Sequence, residues 1–219
     1  MRGARRRALT AAGVLAVCGF AHHAVAQERV TAAALWQPDT GFLARFHAHC
    51  DSRSGAAFDA CFAAAMARAG ASKAALAFTR RLGDQAYLQA LEPTGGPVAV
   101  ARVVYPFRAN ENEAWLLVNG TPPLVDVDDR HNLPFPQMRS SAAYAEIHRH
   151  YPNITFWPGD RGAAAPEVVR DGREIVVGYL LRDLCHACAI VGRVRYAFDF
   201  DADGKFLRAR LVSVISAEK

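Results

Sequence analysis

Residues 181–206 read LRDLCHACAIVGRVRYAFDFDADGKF. In the second half of this stretch Val194, Tyr196, Phe198 and Phe200 alternate with Arg193, Arg195 and Asp199. A period of two places the apolar set on one face of a strand and the charged set on the other. Asp203-Gly204 marks a tight turn. The apolar runs on either side, Glu174 to Leu181 and Phe206 to Ile215, extend the pattern into a three-stranded meander. A Cys-x-x-Cys motif, Cys185-His186-Ala187-Cys188, lies between the first and second strands of this meander.

The texture upstream is different. Phe58, Cys61, Phe62, Ala65, Met66 and Ala69 recur at helical spacing and predict one apolar stripe. Gly70 ends that helix, and Ser72 caps another that runs to Gly83. An earlier helix carries Phe42, Leu43, Phe46 and Cys50, with the turn Asp51 to Gly55 after it. Residues 30–92 are therefore expected to be helical and residues 97–219 rich in sheet. Val98 to Tyr105 and Trp115 to Val118 read as strands, 120–137 as a long proline-rich loop, Ser141 to Tyr151 as a helix, and 157–162 as a turn-rich loop. Helices first and antiparallel strands afterwards define an α+β fold, read as one domain over 27–219.

The chain opens with Arg2, Arg5, Arg6 and Arg7, then a short apolar run to Ala21 and the triplet Ala24-Val25-Ala26. A basic start, a short apolar core and a small-x-small site predict a signal peptide over residues 1–26. The apolar run falls short of the roughly 20 residues of a membrane span, and nothing later is longer. Val17 before Cys18 is a poor match to a lipidation site. Four of the 26 Lys and Arg would leave with the leader, so 22 basic groups face 21 acidic ones in the remainder. That balance speaks against nucleic acid as a partner and offers no polybasic segment to a membrane surface. Stable membrane insertion is not expected.

Without Cys18 four cysteines remain, Cys50, Cys61, Cys185 and Cys188. An even number in an exported chain predicts disulfides, and four cysteines allow three connectivities. The helix-turn-helix reading favours Cys50–Cys61, and the two-residue spacing favours Cys185–Cys188. Haem attachment needs a histidine after the second cysteine, but Ala189 stands there. A thioredoxin-type centre needs its first cysteine at a helix N-terminus, whereas a strand follows here. Structural zinc wants two further ligands at finger-like spacing. A disulfide closing a strand-to-strand turn is the leading reading, and thiol–disulfide or metal handling is the alternative.

Other motifs carry less. His47-Ala48-His49-Cys50 has ligand-type side chains, but helical geometry points the two histidines roughly 200° apart. His148 and His150 meet the same objection. Asp199-Phe200-Asp201-Ala202-Asp203-Gly204 matches the start of a calcium loop, yet Arg210 occupies the twelfth position, where a glutamate belongs. Nucleophile-elbow, zincin, phosphate-loop and dinucleotide signatures are missing. No catalytic residue, metal ligand or cofactor is assigned.

The stretch VVGYLLRDLCHACAIVGRVRYAFDFDADGKF, with its order of strand, Cys, His, Cys, strand, turn and strand, resembles periplasmic lysozyme inhibitors of the vertebrate-lysozyme type. The resemblance covers about the last fifth of the chain, and the two-residue loop is shorter than in that family. It implies His186 as the residue presented to a protein partner. The resulting expectation is a periplasmic or secreted binding or inhibitor-like protein that recognises a protein or envelope ligand. Arg182, His186, His131 and Trp157 are its candidate binding residues.

Overall fold

A computed structural model describes residues 28–83, 85–110, 112–159 and 165–217. The leader expected over 1–26 lies outside the described residues, as do residues 160–164 of the turn-rich loop. The architecture is α+β: helices at the N-terminal side, then two antiparallel sheets ending in a meander.

The first three helices are α1 (Phe42–Cys50), α2 (Gly55–Arg68) and α3 (Lys73–Leu82). The apolar stripe of α2 is buried through Cys61, Phe62, Ala65 and Met66. These residues meet Phe42, Phe46 and Cys50 of α1 in one core. Phe107 enters the same core and lies 4.8 Å from Phe46 and 5.6 Å from Phe62, ring centre to ring centre. Cys50 and Cys61 are disulfide-bonded across the α1–α2 turn, with their Cα atoms 6.0 Å apart. The Ser72 Oγ accepts from the Ala75 N–H at 3.0 Å, and Gly83 ends α3 at φ +67°. That φ is left-handed, a conformation glycine adopts without steric penalty.

Strands β1 (Tyr87–Pro93), β2 (Ala99–Val104), β3 (Glu113–Val118) and β4 (Leu124–Asp126) form the first sheet in sequential order. Here the helical expectation over 30–92 is corrected, because β1 is a strand. Its Leu, Gln, Ala and Glu residues favour helix on propensity alone. Pairing with β2, from Tyr87 opposite Val104 to Pro93 opposite Ala99, overrides that local preference. The proline-rich loop over 120–137 is corrected too. It contains β4, paired to β3, and a short helix α4 (Phe135–Arg139), whose Pro136 lies in the first turn where no backbone donor is lost.

After α5 (Ala142–His150) the second sheet holds β5 (Ile154–Pro158), β6 (Glu167–Val169), β7 (Glu174–Asp183), β8 (Ile190–Phe200) and β9 (Phe206–Ser216). Its order is β5-β7-β8-β9, with β6 paired to the other end of β7. The Trp157-Pro158 part of the expected turn loop is thus the end of an edge strand, a position that tolerates proline. The meander follows the predicted alternation: Val194, Tyr196 and Phe198 are fully buried, and Phe200 nearly so.

Val100, Leu117 and Val125 of the first sheet, with Val98 just before β2, share a core with Tyr179, Leu181, Tyr196 and Phe198 of the second. The opposite face of the first sheet, including Leu88, Ala101 and Val103, packs on Phe78 of α3. Ile147 of α5 closes the core over β8. A Cβ at Gly192 would stand 2.9 Å from the Ile147 Cδ1 and 3.0 Å from the Ile215 backbone O, so a side chain here would have to push the Ile147 tip aside. No helix among the described residues is long and apolar enough to cross a membrane.

Candidate functional site

The Cys185–Cys188 pair is disulfide-bonded at the β7–β8 connection, with Cα atoms 5.0 Å apart. Backbone bonds define the turn: the Asp183 N–H donates to Ala189 O and the Cys188 N–H to Cys185 O, each at 3.0 Å. Leu184 turns the chain at φ +77°, a conformation uncommon for a residue with a Cβ. Its side chain is 62% exposed, an apolar group held out to solvent at the hairpin end.

Arg182 lies beneath this turn. It is buried, and its Nη1 donates to Cys188 O at 2.9 Å. Thr155 of β5, its cross-strand partner, bonds the turn from the side, donating through Oγ1 toward Leu184 O at 3.1 Å. The Trp157 indole N–H donates to the same hydroxyl at 2.8 Å. The Trp157 ring then meets His186 edge-on, centroids 5.0 Å apart with planes at 73°. His186 is half-buried as a result. A guanidinium from below and an indole from the side brace the two-residue disulfide loop.

Trp157 also lines a cleft of about 710 Å3 running along β5. Arg108, Arg130 and Arg139 border it, and Asp126 and Asp128 face them. The Arg108 guanidinium lies over the Tyr105 ring, 3.3 Å from its centre. Phe156, within the cleft, stacks on Tyr179 at 4.9 Å and meets Phe135 edge-on at the same distance. Burial, reinforced by the charge of Asp129, pushes the Asp126 carboxyl above its usual value, although its oxygen accepts the Asp128 N–H at 2.9 Å. Aromatic walls with a few placed charges are the usual make-up of a binding cleft.

Of the four binding candidates the structure brings Arg182, His186 and Trp157 together and leaves His131 apart. His131 is exposed in a turn closed by its own N–H donating to Asp129 Oδ1 at 2.9 Å; its neighbour Arg130 is the one that borders the cleft. Sequence reasoning missed Leu184 and the cleft arginines. The sequence places Leu184 directly before the motif but does not reveal that it is exposed. The arginines come from three separate segments and share no local pattern.

The other motifs have local uses. His47 Nδ1 pairs with Asp51 Oδ1 at 2.6 Å, and His49 Nδ1 with Arg45 O at 2.8 Å. His150 Nδ1 reaches Glu146 O at 3.0 Å, and His148 stacks on Tyr144. The Asp201 carboxylate accepts the Asp203 and Lys205 N–H groups at 3.0 and 2.8 Å, tying the β8–β9 turn. Among the described residues no three His, Cys, Asp or Glu side chains gather as metal ligands. Compared with known proteins, the chain matches no family, no curated protein and no solved structure at a significant level.

Proposed function

We propose that this chain acts outside the cytoplasm as a disulfide-stabilised binding protein of inhibitor-like character, recognising a protein partner through the Cys185–Cys188 hairpin end. One observation carries this reading: the loop is pre-organised. His186 rests against Trp157, Arg182 holds Cys188 O, and Leu184 projects into solvent beside them. A loop ordered before contact loses little conformational entropy on binding, so exposed apolar surface on it converts to affinity. Two disulfides fit an oxidising compartment. That location is supported further by the leader-like residues 1–26.

Thiol–disulfide exchange remains the runner-up because the motif is Cys-x-x-Cys. It is the weaker reading, since the motif joins two strands and has no helix N-terminus to stabilise a thiolate.

The test uses a vertebrate-type lysozyme as the first probe, titrated with the protein lacking residues 1–26. Saturable inhibition that falls in Leu184→Ala and His186→Ala, with unchanged thermal melting, is the expected result. An uninhibited lysozyme removes the inhibitor identity. A photo-cross-linker at position 184 that captures nothing from an envelope extract removes the binding reading altogether. Reduction of insulin by the wild type, abolished in Cys185→Ala, would replace it with redox catalysis.

A further inference from the structure

At the end of β7 remote from the cysteine loop, Glu174 stands opposite Asp199 of β8. Their side chains are only 11% and 15% exposed. Two neighbouring carboxylates this buried repel each other unless cations hold them. Arg210 bridges the pair, with Nη2 at 2.7 Å from Glu174 and Nε at 3.2 Å from Asp199. Arg208 donates through Nε to Asp199 at 3.2 Å, while the Arg170 Nε lies 3.3 Å from Glu174 Oε2 as an ion pair without a hydrogen bond.

That mode of contact matters. A guanidinium anchored through Nε keeps its two Nη groups free to serve as a fork. Among the described residues the Nη groups of Arg208 make no hydrogen bond, nor do the guanidinium groups of Arg170 and Arg173. All three arginines line a single pocket of about 530 Å3, with Glu174 and Asp199 beneath and Phe200 and Leu207 at its side. The Arg173 backbone is fixed at both ends, its N–H donating to Arg170 O at 3.1 Å and its carbonyl accepting the Phe200 N–H at 2.8 Å. Arg170, Arg173, Arg208 and Arg210 set four positive charges against two carboxylates, an excess of two.

We propose that this pocket binds a phosphate monoester dianion. Two negative charges balance the excess, and three outward guanidinium groups match the three terminal oxygens of such a group. The carboxylates anchor Arg208 and Arg210 and pair with Arg170, while Arg173 is placed by its backbone. Leu207, 57% exposed at the pocket, offers an apolar rest to the organic part of the ester. The site is independent of the Cys185–Cys188 reading and lies at the other end of β7.

Inorganic phosphate is the first probe, titrated against chloride at matched ionic strength with binding read from arginine Nε–Hε resonances. Vesicles of phosphatidylcholine with and without phosphatidic acid are the second. The wild type is expected to bind phosphate saturably. Arg173→Gln, whose side chain makes no hydrogen bond or ion pair among the described residues, and the double variant Arg173→Gln/Arg208→Gln should each weaken binding, the double by about tenfold or more. Arg193→Gln, an exposed arginine elsewhere on β8, should match the wild type. Retention on phosphatidic-acid vesicles that is lost in the variants identifies a lipid headgroup; phosphate binding without retention identifies a soluble monoester. No phosphate effect up to about 20 mM, weaker than roughly 2 kcal/mol of association, overturns the proposal. So does an Arg173→Gln variant that binds as tightly as the wild type.

Discussion

Tyr179 and Tyr196 are neighbours on the inner face of the second sheet, ring centres 5.6 Å apart with planes at 69°. They use their hydroxyls differently. Tyr179 donates to Val127 O at 2.6 Å, tying β7 to the chain just beyond β4, whereas the buried Tyr196 hydroxyl has no partner among the described residues. One ring completes a hydrogen bond between the sheets, and the other fills space.

Removing each hydroxyl should therefore give opposite results. Tyr179→Phe leaves the buried Val127 carbonyl unpaired and is expected to lower stability by about 1–3 kcal/mol. Tyr196→Phe removes a buried, unbonded hydroxyl and should be neutral or stabilising by about 1 kcal/mol. Urea denaturation of both variants decides the point, and equal losses would contradict the assignment. Burial also pushes the Tyr196 phenol up from 10.0 to about 12. A raised folded-state value means its contribution is intact below pH 10 and fades as pH climbs toward 12. Tyr196→Phe should accordingly lose less stability than the wild type across that interval.

Asp126 gives a pH signature of its own. Burial raises its carboxyl above the ordinary 3.8, so its contribution to stability is complete below 3.8 and lost as pH rises through the folded-state value. Asp126→Asn keeps an oxygen for the Asp128 N–H and has no charge to bury. Its melting temperature should exceed that of the wild type at pH 7, and the gap should shrink on acidification toward 3.8. A gap of constant size would mean that desolvation of this carboxylate is not what separates the two proteins.

The two disulfides differ in the length of chain they close. Cys61 lies 11 positions after Cys50, and Cys188 lies 3 positions after Cys185. Loop-closure entropy then predicts a loss of about 3 kcal/mol for Cys50→Ala/Cys61→Ala and about 2 kcal/mol for Cys185→Ala/Cys188→Ala. Chemical denaturation of the two double variants gives the comparison. A larger loss from the shorter loop would show that the brace of Arg182 and Trp157 collapses with the bond.

What the sequence by itself determined is local. The alternation through Phe200, the α2 stripe, the cap at Ser72, the stop at Gly83 and the Asp203-Gly204 turn all depend on residues within a few positions of one another. Both cysteine pairings are local as well, because short loops bring their ends together in any compact state. What only the tertiary structure decided depends on distant partners. Tyr87–Pro93 is a strand because β2 offers it a ladder, against the helical preference of its own residues. The Trp157-Pro158 segment became a sheet edge because β7 had a free side, and the cleft exists because arginines from separate segments converge on that edge. The Glu174–Asp199 pair owes its three arginines, Arg170, Arg208 and Arg210, to the register of the second sheet and its connecting turn. Hydrogen-bond ladders and charge clusters of this kind form between residues far apart in the chain, and no window of sequence contains both sides of the interaction.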